Sequence, residues 1–179
     1  MLKNVSRAVL VVIVASTSLF AQGDKSKRPS PPATAECRLP DGKTVITVDY
    51  SSPRLKGRTV GNEVAPFGQV WRTGANEATT FVTTANLTTP KGIDIPAGNY
   101  TLFTVPEAEK WTLVINKHTG EWGIPYHYES EELPRIPMTV SKLSSPVEDF
   151  TISFDQAGRG CTMHLSWGET QASVEFTVK

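Results

Sequence analysis

Strict alternation of apolar and polar residues is the feature of this sequence that most restricts its fold. Four runs show it, at residues 44–50, 150–154, 161–167 and 172–178. Successive side chains of a β-strand point to opposite faces, so each run predicts a strand with one buried face. Beyond the N-terminal region, no window of ten or more residues has a helical period. The chain is therefore predicted to be all-β.

Turn residues separate these runs from one another. Asp41-Gly42, the segment 96–99 and the segment 158–160 combine Gly, Pro, Asn and Asp, as hairpin loops do. A chain of about eight to ten short strands favours a single antiparallel β-sandwich, jelly-roll-like, over the alternative of a partly closed β-barrel. Further strands are predicted at 100–105, 111–116 and 136–140, where Pro137 marks the last as an edge or irregular strand.

The N-terminus has the layout of a secretory signal peptide. Lys3 and Arg7 precede the uncharged apolar run 8–20, and Ala21 supplies a small residue for cleavage. The run is shorter than the ~20 residues of a membrane-spanning helix, although an uncleaved anchor stays open as the alternative. We therefore expect a signal peptide over 1–21, export to the periplasm or the medium, and no membrane span after cleavage. The Pro-rich segment 22–35 is predicted to be a disordered or extended linker before a domain at 36–179.

Export changes the interpretation of the two cysteines, Cys37 and Cys161. In an oxidising compartment an isolated pair is most simply a disulfide, which would place the start of the domain beside the strand at 161–167. Two separate buried thiols remain the alternative, because spacing alone does not determine pairing. A metal site there would need more ligands than these two thiols supply, which disfavours one.

Charge balance argues against one class of partner. The chain has 18 basic and 18 acidic side chains, and no run of Lys or Arg interleaved with aromatics follows the N-terminus. Such a chain has no long-range field for nucleic acid. We therefore expect no nucleic-acid binding and predict no cofactor; the sequence does not indicate an oligomeric state.

Several blocks of the sequence carry a family likeness. The most specific is the run Trp-Arg-Thr-Gly-Ala-Asn-Glu-Ala-Thr at 71–79, and the likeness extends from about Thr44 to the end of the chain. The sequence resembles a bacterial exported family known as domain of unknown function 2911. The resemblance implies a small secreted protein with a signal peptide, and it brings no established activity or catalytic residues. The other blocks that carry it are Ser52-Pro53, 56–58, 96–103, 111–117, Trp122-Gly123 and 150–178.

The 71–79 block contains the first set of candidate ligand-binding residues: Trp71, Arg72, Asn76 and Glu77. An Arg fork and a carboxylate beside an indole can hold a sugar or another small polar ligand. In the structural alternative, Arg72 and Glu77 pair with each other or with backbone carbonyls, Trp71 lies in the core, and the Asn76 amide caps a turn. The structural alternative is preferred, because ordered loops need such internal hydrogen bonds.

The second candidate set lies in the loop 117–128 and comprises His118, Trp122 and Tyr126. Aromatic side chains exposed on a loop can stack on sugar rings, and His118 with His127 would be two metal ligands. No compact ligand motif supports a metal site, and His164 falls on the polar face of a strand. The alternative is an aromatic-rich loop that folds over the open end of the sandwich.

Catalytic residues are not identified. The sequence has no Gly-x-Ser-x-Gly elbow and no evident Ser/His/acid constellation. The leading hypothesis is a non-enzymatic exported module that binds a small polar or glycan-like ligand, or a partner protein, through the loops 71–79 and 117–128. The alternatives are a secreted saccharide hydrolase that uses Glu77, with Glu121 or the acids of 129–132 as a second carboxylate, and a purely structural envelope protein.

Overall fold

The computed structural model describes residues 24–179, so the predicted signal peptide lies outside the described residues. This part of the chain contains eleven β-strands and two short 3₁₀ turns, at Lys25–Lys27 and Glu129–Glu131. No helix in it is long and apolar enough to cross a membrane. The strands are β1 (Pro32–Arg38), β2 (Val45–Ser51), β3 (Val60–Gly61), β4 (Val64–Pro66), β5 (Thr79–Thr83), β6 (Leu87–Thr88), β7 (Asp94–Ile95), β8 (Gly98–Pro106), β9 (Lys110–Asn116), β10 (Ile136–Ala157) and β11 (Gly160–Val178).

Within residues 24–179, nine of the strands form one antiparallel sheet in the order β1-β2-β5-β8-β9-β10-β11-β6-β7, and β3 pairs with β4 in parallel. The alternation seen in the sequence becomes burial of one face. Ile46, Val48 and Tyr50 of β2 are all buried, for example, whereas Asp49 between them is exposed. The all-β prediction is confirmed.

The sheet folds so that its first strands pack against its last long pair. A disulfide joins Cys37 of β1 to Cys161 of β11. The hydroxyl of Ser52, just after β2, donates to the carbonyl of Phe150 at 2.8 Å, and the amide of Ile152 donates to the Tyr50 hydroxyl at 3.0 Å. The sheet does not close into a barrel, and the arrangement agrees with the predicted sandwich.

An aromatic cluster fills the space between the two layers. Trp71 stacks on Trp167 with ring centroids 5.5 Å apart, and it meets Phe150 edge-on at 4.9 Å. Trp111 lies edge-on to Trp71 at 6.3 Å. All four side chains are buried. Large aromatic side chains bury much apolar surface and pair favourably in these geometries, so this cluster is a principal source of stability.

The two C-terminal strands are much longer than the short strands predicted. β10 spans 22 residues and β11 spans 19, with register shifts in their ladder between Lys142 and Thr151. The sequence pattern showed their segments separately, because the alternation breaks over 141–149 in β10 and near Gly168 in β11, where the backbone has φ +59°. The sequence predicts that Pro137 marks an edge or irregular strand. β10 is not an edge strand, since Pro137 pairs with Thr112 of β9, but it is irregular, with register shifts against β11.

The segment predicted as a linker is partly built into the domain. Residues 32–35 belong to β1 and pair with β2, so the strand begins four residues before the predicted domain boundary. The composition of this segment gives no apolar period, and its order comes instead from backbone pairing with Val48–Ser51 and from contacts that Arg28 and Ser30 make with the 71–79 loop.

Candidate ligand-binding site

The loops 71–79 and 117–128 lie against each other, as expected for two loops at one end of the sandwich. The amide of Ala78 donates to the carbonyl of Glu121 at 3.3 Å. Gly123 fits between the loops with φ +85°, and a Cβ atom there would meet the Cβ of Ala78 at 2.9 Å and that of Arg72 at 3.3 Å. Only glycine allows this approach without strain.

Arg72 and Asn76 are held by backbone carbonyls. Nη1 of Arg72 donates to the carbonyl of Asn76 at 2.6 Å and to that of Trp122 at 3.1 Å. Asn76 adopts φ +59°, and its side-chain amide donates to the carbonyl of Ser30 at 3.0 Å. Burial lowers the pKa of Arg72, and the nearby Glu77 opposes that shift. Both residues therefore fasten the loop to its neighbours, which is the structural alternative for this block.

Glu77 is paired with the segment that precedes β1. Its carboxylate accepts two hydrogen bonds from Nη1 of Arg28, at 2.7 and 3.0 Å, and Nζ of Lys25 lies 3.2 Å away. A hydrogen bond from its own backbone amide, followed by those from Arg28 and Lys25, lowers the pKa of Glu77 to about 2. A carboxylate with so low a pKa is a weak proton acceptor.

Trp122 is the one candidate aromatic whose ring is presented to solvent. It is 56% exposed, and Ile124 beside it is 45% exposed. The Cζ atom of Arg72 lies 5.3 Å from the centroid of the Trp122 ring, which is within cation–π range. The same guanidinium bonds the Trp122 carbonyl, so both the backbone and the ring of Trp122 are held in place.

Trp71 and Tyr126 have structural positions. Trp71 is buried in the aromatic cluster and has no open face for a ligand. Tyr126 packs edge-on to Phe103 at 4.6 Å, and its hydroxyl donates to Glu132 at 2.6 Å while accepting from Asn116 at 3.0 Å. Burial and the hydrogen bond with Glu132 raise the pKa of Tyr126. These two side chains support the loops rather than form a binding surface.

His118 lies between two carboxylates. Its Nε2 is 3.3 Å from Oε2 of Glu121, its Nδ1 is 3.3 Å from Oε1 of Glu131, and its ring stacks on Tyr128 at 4.4 Å. The Glu121 side chain is only 5% exposed, and neither of its oxygens has a hydrogen-bond partner among the described residues. Burial raises the pKa of Glu121, with attraction to His118 opposing the rise. In residues 24–179 no group of three or more His, Cys, Asp or Glu side chains is placed to hold a metal ion.

The sequence identified the two loops but not the contacts that fix them. It did not point to Arg28, because the partner of Glu77 is 49 positions away in a Pro-rich segment without a hydrophobic period. The burial of Glu121 was also missed, since a lone Glu between Gly120 and Trp122 looks like a solvated loop residue. A compact turn signal, Thr119-Gly120, was the one local hint that this loop folds back.

Comparison with known proteins places the chain in a family. The family profile described as "Protein of unknown function (DUF2911)" matches residues 30–176. The match covers the strands β1–β10, both loops of the site and most of β11. No curated protein and no solved structure matches the chain. The predicted family resemblance is confirmed, and it attaches no activity to the site.

Proposed function

We propose that this chain, which belongs to the DUF2911 family of proteins of unknown function, is an exported module that binds a small polar or glycan-like ligand on the exposed ring of Trp122. One observation carries the proposal. The Trp122 indole is 56% exposed, and yet Arg72 holds this residue in place by a cation–π contact with the ring and a hydrogen bond to the Trp122 carbonyl. The disulfide between Cys37 and Cys161 supports export, because such bonds persist in oxidising compartments.

A fastened aromatic ring suits a ligand with flat apolar faces and a polar rim. Sugar rings have such faces in their C–H groups, and an indole offers a large, rigid contact area. Because Arg72 already holds Trp122, little side-chain freedom remains to be lost on binding. Lys117 and Thr119 are exposed in the same loop and add hydrogen-bonding groups of the kind that fix a ligand's orientation.

The ion pairs of Glu77 favour binding over glycoside hydrolysis. A general acid for that reaction needs a raised pKa, whereas the pKa of Glu77 is held at about 2. Arg28 and Lys25 also occupy the carboxylate that a hydrolase would direct at its substrate. A purely structural envelope role would predict no saturable ligand, which the following experiment distinguishes.

The test is calorimetric titration of the secreted domain with cellohexaose, chitohexaose and dextran. We expect saturable binding to at least one of them, and a loss of at least about tenfold in affinity in Trp122→Ala, which corresponds to about 1.4 kcal/mol. Phe67→Ala is the matched control, since Phe67 is 45% exposed and packs over Gly61 outside both loops. Equal affinities in Trp122→Ala and wild type would refute the proposal, as would an absence of saturable binding across the panel.

A further inference from the structure

A second polar constellation lies on β10 and β11, outside the Trp122 surface. Oγ of Ser173 is 2.7 Å from Nδ1 of His164, and Nε2 of the same ring is 3.2 Å from Oδ2 of Asp155. The imidazole therefore bridges a hydroxyl and a carboxylate. A serine, a histidine and an acid in this order are recognised by geometry and by roles rather than by position in the sequence.

The course of β11 brings these three residues together. Nine residues in extended conformation would separate His164 from Ser173 by roughly 30 Å, so the strand must reverse between them, near Gly168 with φ +59°. The amide of Val178 donates to the carbonyl of Arg159 at 3.1 Å, which shows the two halves running side by side. Asp155 reaches His164 from β10, where Ser153 is the register partner of His164. A sequence pattern alone does not show this proximity.

Ser173 also lines a cavity of about 260 Å³. Thr139 and Ser173 form the outermost pair of the β10–β11 ladder, and the two strands diverge beyond it. Pro137 has no amide hydrogen with which to continue the ladder on that side. The segment 89–91, which follows β6, also lines the cavity and includes the positively charged Lys91. The cavity is smaller than most drug-sized pockets and suits a short acyl group.

We propose that Ser173 is the nucleophile of an esterase-like site for small acyl esters, with His164 as its base. Nδ1 of His164 takes the hydroxyl proton while Oγ attacks the ester carbonyl carbon, whose π electron pair moves onto its oxygen. Collapse of this intermediate expels the alcohol oxygen, which takes the proton from His164 and leaves an acyl-serine. Water then attacks the acyl-serine with His164 again as base, which releases the carboxylic acid and restores the Ser173 hydroxyl.

Two details define the site. Relative to the familiar serine hydrolases, the ring nitrogens are interchanged, since the serine here bonds Nδ1 and the acid bonds Nε2. Asp155 is a positioning residue that acts through His164 by fixing the tautomer in which Nδ1 is free to accept a proton. Lys91 lines the same cavity, and a positive charge there favours a developing oxyanion. The site uses no residue of the Trp122 surface, so either proposal stands without the other.

The test uses the secreted domain with p-nitrophenyl acetate and a fluorophosphonate label. We expect a burst of p-nitrophenolate in wild type, a fall of at least about 100-fold in its rate in Ser173→Ala, and an unchanged rate in Ser153→Ala, the matched control on the neighbouring strand. Mass spectrometry of the labelled wild-type protein should place the phosphonyl group on Ser173, a result that does not depend on any variant folding. Asp155→Asn should slow the burst and change the His164 tautomer, read from the ¹⁵N shifts of its ring. A label on another residue, no label at all, or a wild-type rate in Ser173→Ala would overturn the assignment.

Discussion

Nη1 of Arg28 lies 2.7 Å from Oε2 of Glu77, and this contact ties the segment before β1 to the loop that follows Trp71. The side-chain amide of Asn76 strengthens the same junction by donating a hydrogen bond to the carbonyl of Ser30. The loop is thus fastened on one side by the N-terminal segment and on the other by the 117–128 loop, through Arg72 and the Trp122 carbonyl. Trp122 is therefore presented to solvent on a fixed support.

Acid should weaken this junction in a defined pH window. The pKa of Glu77 is lowered to about 2 in the folded protein, so its contribution is present above an unfolded value near 4.5 and is lost as the pH falls toward 2. The Glu77 side chain is 43% exposed, and solvent screening reduces the contribution to about 1 kcal/mol. Glu77→Gln should lower the free energy of unfolding by that amount at pH 7, and the difference from wild type should vanish near pH 2.

Urea titrations at pH 7, 4.5 and 2.5 would measure this effect. Glu169→Gln is the control, since Glu169 forms an exposed ion pair with Lys142 at 3.0 Å and should change stability by less than about 0.5 kcal/mol. A difference for Glu77→Gln that stays constant from pH 7 to pH 2.5 would contradict the ion-pair account.

The contribution of Glu121 to stability should depend on pH with the opposite sign to that of Glu77. Burial raises the pKa of Glu121, so its contribution to stability is fully present below an unfolded value near 4.5 and is lost as the pH rises through the folded pKa. Replacing the carboxylate by a neutral amide removes the cost of burying a charge without hydrogen bonds. Glu121→Gln should therefore raise Tm by about 2–4 °C at pH 7 and by less at pH 4.

Differential scanning calorimetry at the two pH values would measure that shift. Glu131→Gln is the matched control, because Glu131 contacts the other nitrogen of His118 from a half-exposed position. A lower Tm for Glu121→Gln at pH 7 would mean that the ionised carboxylate stabilises the loop.

The packing of the 71–79 loop against the 117–128 loop depends on Gly123. Adding a methyl group there creates contacts of 2.9 Å with Ala78 and 3.2 Å with Phe103, on a backbone with φ +85°. Gly123→Ala should cost about 2–4 kcal/mol from strain and overpacking together. Gly120→Ala is a close control, with φ +81° and nothing within 4 Å of the added methyl, and should cost only about 1–2 kcal/mol. Chemical unfolding of both variants measures the difference. Equal losses of unfolding free energy in the two variants would show that the loops are not tightly packed at Gly123.

Trp71 and Trp122 should behave differently although both belong to the predicted site. Trp71 is buried against Trp167 and Phe150, so Trp71→Ala should cost about 3–5 kcal/mol. Trp122→Ala removes an exposed ring and should cost about 1 kcal/mol or less. Urea unfolding checks both values. A large loss of stability in Trp122→Ala would contradict its role as a solvent-facing platform.

The disulfide should account for a large share of stability. It closes a loop with a sequence separation of 124 residues, for which the chain-entropy model gives about 4–5 kcal/mol. Reduction, or the double substitution Cys37→Ser and Cys161→Ser, should lower the free energy of unfolding by up to that amount in urea titrations. Reductant should have no effect on the double variant; a further loss there would point to another cause.

Local pattern was sufficient for some features and insufficient for others. Alternation at Ile46, Val48 and Tyr50 predicted a buried strand face because period-two burial is a local property of a chain. The contact of Arg28 with Glu77 is not local, and no pattern in the Pro-rich segment predicts it. The sequence predicted a disordered or extended linker over 22–35, and residues 32–35 are extended and ordered by backbone pairing with β2, without any hydrophobic period.

Register is the other information that a single sequence lacks. Asp155, His164 and Ser173 each look like polar residues on a strand face, and only the reversal of β11 near Gly168 brings His164 and Ser173 into contact. Trp71 shows the same limitation, because the sequence favours a core position for an indole beside Arg72 but leaves a binding wall open as the alternative. Its stacking on Trp167, 96 positions away, decided for the core.

The measurement that tests the central claim most directly is iodide quenching of tryptophan fluorescence in the presence of an oligosaccharide. Of the four tryptophans, Trp71, Trp111 and Trp167 are buried and Trp122 is exposed, so the quenchable signal reports on Trp122. A saccharide that binds on this ring should protect it from iodide in a saturable way, and the quenchable fraction should disappear in Trp122→Phe. Saturable binding measured by calorimetry without any protection of Trp122 would contradict the account.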